Sequence, residues 1–173
     1  STLALDINPA NDSAIGFVIK QPQINAYPYF ENFDSGIQTW MTADTLWQPG
    51  TPSGFVINSA YSGTTAWSTC NNGFYPSTNY SYVESPCFDF SSLSMPQVEF
   101  RHFVNTTVPD EGATLEYTTD GFTWNLIGNP GDTLNWYNSN SIYVLQSGWA
   151  GDTTTTWKLG RHAIPQLAGA PYV

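Results

Sequence analysis

The chain has 173 residues, with four Lys and Arg against fourteen Asp and Glu and a formal net charge of −10. Such an acidic surface repels phosphate groups, which argues against nucleic acids and anionic lipids as partners. Aromatic residues make up 16% of the chain, far more than disordered proteins carry. We therefore expect one folded domain, and the sequence holds no apolar run long enough to predict a membrane-spanning segment.

Residues 1–26 are set apart by two short strand candidates, 2–7 and 14–19, on either side of a polar turn at 8–12. We predict that this segment is an N-terminal extension, a linker or the end of a preceding module. The main domain is expected to run over residues 27–173.

Beyond this segment, short runs of alternating apolar and polar residues recur between turns rich in Gly, Pro, Asn and Asp, and helical periodicity is almost absent. In one run, Val98, Phe100 and His102 share a face, and apolar Phe103 predicts that the other face is covered as well. Many short strands with regular turns predict an antiparallel β-sandwich. The predicted strands lie near residues 15–20, 54–58, 64–69, 80–84, 98–104 and 156–164, and a helical turn is predicted at 164–169.

A β-hairpin is predicted over residues 113–127, where two alternating runs flank a turn. Asp120 is expected to accept backbone N–H bonds across this turn, and Gly121 to supply a positive φ. Trp124 is expected to pack over the hairpin.

The sequence DGFTW at residues 120–124 is similar to the aspartate-box loop of sialidase-type β-propellers. A propeller repeats such a loop once per blade, whereas this loop occurs once. A sialidase also needs an arginine triad, and Arg101 and Arg161 are the only arginines. A sialidase is therefore excluded.

Cys70 and Cys87 are the two cysteines of the chain. Two cysteines cannot form a zinc site by themselves, and their spacing is not that of a CxxC motif. Two interpretations remain open: a disulfide bond, which would add roughly 3 kcal/mol by constraining the unfolded chain, or two separate buried thiols.

A series of motifs follows in order along most of the chain. They read YFENFDSG at 29–36, LWQPGTPSG at 46–54, INSAYSGTTAW at 57–67, YVESPCFDFS at 82–91, and then the DGFTW hairpin. The series resembles the MAM-like jelly-roll domains of large secreted and cell-surface proteins that bacteria export by type IX secretion. The resemblance spans residues 27–173.

This resemblance implies a location outside the cell or on its outer surface. It also implies a non-catalytic adhesion or interaction module within a larger protein, with glycans or surface proteins as partners. Two alternatives stay open: a carbohydrate-binding module of a secreted hydrolase, and a structural spacer or exported cargo bound by the secretion machinery.

Members of the family usually continue beyond a segment like residues 170–173 into two further strands that close the sheet. The jelly roll is therefore expected to lack its final strands, which would leave a sheet edge open. Residues 2–19 could complete this edge, as could a strand exchanged with another chain or module. The remaining alternative is that the sequence is part of a longer protein.

The resemblance further implies a structural Ca²⁺ held by a glutamate near the first strand and an aspartate near the last. Glu31 and Asp34 fit the first half of such a site. The alternative is that these two carboxylates belong to a solvated acidic turn.

Catalysis has little support in the sequence, which contains no GxSxG, HExxH or P-loop motif. His102 and His162 each stand beside an arginine in a strand pattern and are predicted to be structural. Asp110 and Glu111 follow Pro109 in a predicted solvated turn. We therefore predict that the chain is not an enzyme.

Sugar binding would use exposed aromatic faces flanked by amides. The segment 129–151 is rich in Asn, Ser and Gly and is predicted to form long loops. The candidate ligand contacts are its aromatic residues Trp136, Tyr137, Tyr143 and Trp149. The alternative is that these residues cap the sandwich or pack against a neighbouring module. The tryptophans of the family motifs, Trp47, Trp67 and Trp124, are predicted to be core residues.

Overall fold

The structure is a computed structural model that describes residues 21–36, 39–43, 45–73, 80–106, 111–143, 145–151 and 156–173. In these ranges the regular structure is β-strand, apart from one 3-10 turn at Pro165–Leu167. The all-β prediction is confirmed, and so is the predicted helical turn. The strands are β1 Gln23–Ile24, β2 Trp47–Gly50, β3 Ala66–Thr69, β4 Cys87–Phe88, β5 Gln97–His102, β6 Glu116–Tyr117, β7 Asn125–Leu126, β8 Ser139–Ile142, β9 Gln146–Gly148 and β10 Lys158–Ala163.

The described strands pair into several small sheets of two strands each. The pairs β2–β3, β5–β10, β6–β7 and β8–β9 are antiparallel, as predicted, whereas β1–β4 is parallel. Isolated bridges join Met41 to Glu84 and Ala113 to Trp149. The pair β5–β10 is the longest, running from Gln97 opposite Ala163 to His102 opposite Lys158.

The alternation predicted for β5 is present in its burial. Val98, Phe100 and His102 are half-buried, while Gln97, Glu99 and Arg101 between them are exposed. The prediction that both faces of this strand are covered was therefore wrong for residues 97–101, although Phe103, just beyond the strand, is half-buried against Trp157. One face of the β5–β10 sheet lies on the core, and the other meets solvent.

Residues 21–26, which the sequence assigned to the extension, pair with the main body. The backbone N–H of Cys87 donates to Pro22 (3.1 Å), and that of Asp89 donates to Ile24 (2.8 Å). On its other side β4 meets Val173, whose N–H donates to the Phe88 carbonyl over 3.0 Å. Residues 1–20, with the predicted strand at 15–20 and the segment 2–19 proposed to complete an edge, lie outside the described residues.

Three of the seven buried residues in the core cluster come from the segment 129–151, which was predicted to form long loops. The buried residues of the cluster are Phe90, Ile127, Trp136, Tyr137, Trp149, Ile164 and Leu167. The β8–β9 hairpin occupies the middle of 129–151, which corrects the prediction of loops there. Tyr137 bonds through its hydroxyl to both the N–H and the carbonyl of Leu115, at 2.9 Å each, and burial raises the pKa of this phenol.

Two predicted strands are not formed. Residues 54–58 make a bend, in which the Gly54 N–H donates to Ile57 over 3.0 Å, and Phe55 points to solvent. Residues 80–84 contribute the isolated bridge at Glu84 rather than a strand. Both segments have β-forming residues, but among the described residues neither has a strand beside it along its length. In the described ranges, no helix is long and apolar enough to cross a membrane.

Candidate binding cleft beside strands β5 and β10

The inner face of the β5–β10 sheet carries a row of basic side chains. Residues directly opposite each other in an antiparallel pair share a face, so His102 and Lys158 lie side by side there, followed by Phe100 and Gly160. His162 lies opposite Val98 at the far end of the row. A Cβ atom at Gly160 would lie 3.3 Å from the His102 ring, so the glycine leaves room for the rings that lean over β10.

Residues 133–136 cover the free edge of β10. The backbone N–H of Arg161 donates to Leu134 over 3.3 Å, and the side-chain amide of Asn135 donates to Leu159 over 2.8 Å. Thr133 donates its hydroxyl to the Arg161 carbonyl. These bonds fix the covering segment at the edge of the basic row.

Two indole rings form the wall between this segment and the sheet. Trp149 lies with its ring centroid 4.9 Å from that of His102, and Trp136 lies 5.8 Å from Phe100. The Trp136 indole N–H donates to Ile127 over 2.8 Å, and the Trp149 indole N–H donates to Asn135 over 2.9 Å. Both rings are therefore held in place by packing and by a hydrogen bond.

A cleft opens where the covering segment, the indoles and the end of the basic row meet. We call it the β5–β10 cleft; it has a volume of about 200 Å³ and is lined by His102, Asn135, Trp136, Asn138, Trp149 and Lys158. It is smaller than the about 300–1,000 Å³ of pockets for drug-sized ligands, so it suits one small polar group or a single sugar ring.

The amides of the cleft serve its architecture first. Asn138 donates its side-chain N–H to Ala150 over 2.8 Å and accepts from the Ala150 N–H over 2.9 Å. Asn135 is tied to Leu159 as described above. The other two polar side chains that line the cleft are the Lys158 ammonium and the His102 imidazole.

Charge is distributed unevenly over the molecule. The chain has four Lys and Arg and two His, and of these six basic residues five lie on β5 and β10: Arg101, His102, Lys158, Arg161 and His162. The sixth, Lys20, lies outside the described residues. No lining residue of the described cleft is acidic. An otherwise anionic protein thus presents its cationic groups around one sheet.

The other basic residues of this sheet have partners away from the cleft. On the outer face, Arg161 pairs with Glu99 at 2.6 Å, and Arg101 lies over the Tyr61 ring at 4.3 Å from its centre. These contacts hold both guanidinium groups on the outer face, so they belong to the opposite side of the sheet.

His162 pairs with Asp132 at 3.3 Å at the far end of the inner row. The pKa of Asp132 is lowered because its carboxylate accepts the Asn129 N–H, at 2.7 Å, and contacts His162. His162 is also packed against Trp136, with ring centroids 4.7 Å apart. Because His162 lies four residues along the face from His102, the two are about 13 Å apart, so they cannot ligate one metal ion together.

The four aromatic residues predicted to bind a ligand have different surroundings. Trp136, Tyr137 and Trp149 are only 3%, 1% and 6% exposed, so the prediction that they offer open stacking faces was wrong. These three residues pack inside the fold, which was the alternative interpretation. The indoles of Trp136 and Trp149 also line the cleft. Tyr143 is 66% exposed beside the β8–β9 turn, away from the six lining residues.

The two predicted calcium ligands each support a local turn. Asp34 accepts the N–H groups of Thr64 and Thr65 at 2.9 and 3.0 Å, which lowers its pKa, with the Thr64 bond as the largest cause. Glu31 accepts the Phe33 N–H at 2.7 Å. Within the described ranges, no group of three or more His, Cys, Asp or Glu could hold a metal ion. Calcium binding stays a prediction.

Cys70 and Cys87 are free thiols, so the predicted disulfide is not formed. Cys87 lies in β4, whereas Cys70 follows β3 in a different sheet.

Asp120 accepts the N–H groups of Phe122 and Thr123 at 2.8 and 2.7 Å, and Gly121 has a φ of 77°, as predicted.

These bonds, the one from Thr123 first, hold the pKa of Asp120 far below its usual range. Trp124, at the end of this hairpin, was predicted to be a core residue. It is 47% exposed, so this prediction was wrong. Trp47 and Trp67 are half-buried on β2 and β3. Of the predicted acidic pair, Asp110 lies outside the described residues, and Glu111 is half-buried.

Sequence reasoning missed Lys158, Asn135 and Asn138 and gave His102 only a structural role. One signal could have found the cleft. In a chain with six basic residues, the grouping of Arg101 with His102, and of Lys158 with Arg161 and His162, marks two strands. The pairing of those strands, however, depends on tertiary structure.

Comparisons with models of protein families, with characterised proteins and with solved structures gave no match.

Proposed function

We propose that the chain is a non-catalytic adhesion or interaction module of an extracellular protein, and that it binds a small saccharide unit of a surface glycan in the β5–β10 cleft. The proposal includes an overall β-sandwich of the MAM-like jelly-roll type. What supports that layout is the ordered motif series of the sequence, together with the several small, mostly antiparallel sheets and the aromatic core.

The composition of the cleft is the observation that carries this proposal. Apolar indole edges and polar amide, imidazole and ammonium groups converge on about 200 Å³. Such a mixture of apolar wall and few fixed polar groups is typical of small-molecule sites. A sugar ring offers C–H groups to the apolar wall and hydroxyl oxygens to the polar groups.

The chemistry of the lining supports the proposal of a binding role rather than a hydrolytic one. Glycosidases commonly use two carboxyl groups about 5–10 Å apart on either side of the scissile bond. The six residues that line the described cleft include no carboxylate. Two carboxylates of the same sheet and its covering segment, Glu99 and Asp132, are paired with Arg161 and His162.

A glycan-array screen tests this function. The native chain is compared with Lys158→Gln and with a matched control, Arg161→Gln, which removes one positive charge from the same strand on the opposite face. We expect saturable binding by the native chain and by the control, and loss of binding in Lys158→Gln, with every bound glycan recovered intact. Absence of saturable binding would support the spacer alternative, and equal binding by both variants would place the site elsewhere.

A further inference from the structure

We infer that a group of three exposed tyrosines beside a fixed carboxylate binds an organic ammonium cation. The group, which we call the tyrosine patch, consists of Tyr80, Tyr82, Tyr143, Glu116 and Gln146. It shares no residue with the six that line the β5–β10 cleft, so the inference goes beyond the proposed function and does not depend on it.

Hydrogen bonds fix the polar centre of the patch. The side-chain amide of Gln146 donates to Oε1 of Glu116 over 2.9 Å, which links the start of β9 to β6. The backbone N–H of Gln146 donates to the Tyr143 carbonyl over 3.2 Å, which places Tyr143 at the same end of the β8–β9 hairpin. A carboxylate, an amide and one phenol are therefore brought together across two hairpins.

Two further phenols come from a separate segment of the chain. The Tyr80 hydroxyl lies within electrostatic reach of Glu116, Tyr82 and Tyr143. Burial and then the negative charge of Glu116 raise the pKa of Tyr80, so this phenol is uncharged at neutral pH. Tyr80, Tyr82 and Tyr143 are 76%, 43% and 66% exposed. Three rings thus meet solvent around one carboxylate.

A cation suits this combination of groups. The face of an aromatic ring carries the negative part of its quadrupole and attracts an ammonium group within about 6 Å of the ring centre. The Glu116 carboxylate adds a full negative charge. Its bonds from the Gln146 amide and from the Thr114 hydroxyl, the latter at 3.4 Å, both go to Oε1. Among the described residues, Oε2 therefore remains open to a ligand.

The charge of the molecule narrows the class of ligand. None of the five residues of the patch is basic, and with a formal net charge of −10 the surface attracts cations and repels anions. A phosphocholine head group would bring a phosphate towards Glu116. The patch therefore fits a free or peptide-borne alkylammonium group better than a lipid head group.

The test compares two ligands of the same shape that differ in charge. Choline is titrated against dimethylbutanol, in which a carbon atom replaces the nitrogen. NMR of the native chain follows the tyrosine ring signals and the side-chain amide signals of Gln146. We expect saturable shifts with choline and a dissociation constant at least about tenfold lower than that of the alcohol, because the positive charge provides the attraction.

Two variants with matched controls locate the site. Glu116→Gln should weaken choline binding at least about fivefold, whereas Glu99→Gln, which removes a carboxylate from β5, should not. Tyr80→Ala should weaken it about two- to fivefold, whereas Tyr172→Ala, at another exposed tyrosine, should not. All four positions lie at least partly in solvent, and urea unfolding checks that each variant is folded.

Equal binding of choline and dimethylbutanol, or no saturable shift with choline, would overturn the inference. So would equal losses in a variant and its control, or a neutral methyl glycoside that shifts the patch signals where choline does not. Phosphocholine should bind more weakly than choline, and tighter binding would contradict the assignment to a free or peptide-borne cation. None of these results concerns the β5–β10 cleft, so the glycan array tests the proposed function separately.

Discussion

Lys158 lies directly opposite His102 in the antiparallel register of β10 and β5, on the face of the sheet that packs against Trp136 and Trp149. In a strongly acidic protein this places an ammonium group and an imidazole at the end of one small cleft. The register is what joins them, since the two residues are far apart in the sequence. The account of function given above depends on this pairing.

The burial of Trp136 predicts a large effect on stability. Trp136→Ala removes a ring that is 3% exposed, together with its hydrogen bond to Ile127, and should lower the free energy of unfolding by about 3–5 kcal/mol. Trp124→Ala, at a position 47% exposed, is the matched control and should cost much less. Urea unfolding measures both, and similar losses for the two variants would contradict the assignment of the core.

Gly128 is expected to tolerate no side chain. Its φ is 74°, and a Cβ there would lie 2.5 Å from His162 Nε2 and 2.6 Å from Trp136 Nε1. Gly131 has nearly the same φ, 77°, with nothing within 4 Å of a Cβ. Both alanine variants bear the strain of a positive φ, about 1–3 kcal/mol. Thermal unfolding should show Gly128→Ala to be clearly less stable than Gly131→Ala, and the reverse order would refute the packing of His162 on Trp136.

Acid should weaken the link between Asp34 and the loop at Thr64. The pKa of Asp34 is lowered from its ordinary 3.8, chiefly by the Thr64 N–H. A lowered carboxyl pKa contributes stability that is present above the ordinary value and is lost as the pH falls through the folded-state value. Urea unfolding between about pH 6 and pH 2 should therefore show a smaller acid loss in Asp34→Asn than in the native chain. Parallel pH curves for the two proteins would count against this role.

The state of the cysteines gives a chemical prediction. Both thiols are free in the structure, so thiol titration of the unfolded chain without reductant should detect both Cys70 and Cys87. Dithiothreitol should leave the unfolding temperature unchanged. If neither thiol reacts and reductant lowers stability by roughly 3 kcal/mol, the disulfide predicted from the sequence is present after all.

Local signals in the sequence predicted part of this fold well. The alternation in β5 and the turn chemistry at Asp120 and Gly121 depend on residues close in sequence, and both structures formed as expected. The segment 129–151 was mispredicted because its polar composition hides tertiary packing. A Cβ at Gly148 would lie 2.2 Å from Ile142 Cδ1 and 2.6 Å from the Ala113 carbonyl, so this glycine marks a close approach of strands rather than a loop.

The site was predicted less well than the fold, for a related reason. Aromatic residues between Asn and Ser suggested an exposed platform, but Trp136 and Trp149 are buried and contribute only part of the cleft wall. Lys158 carried no motif, and its role appears only when β10 is placed beside β5. Charge clustering is visible in the sequence, whereas the register that brings Lys158 to His102 is not.

The central claim is tested most directly by NMR of the native chain titrated with a small saccharide that the glycan array identifies. The account predicts shifts of the indole N–H signals of Trp136 and Trp149 and of the backbone signals of Asn135, Asn138 and Lys158, which line the cleft. Trp124 is exposed beside the turn between β6 and β7 and does not line the cleft, so its indole N–H signal should not shift. Shifts confined to Trp124 or Tyr143, or no shifts at saturating ligand, would contradict the assignment of the β5–β10 cleft as the binding site.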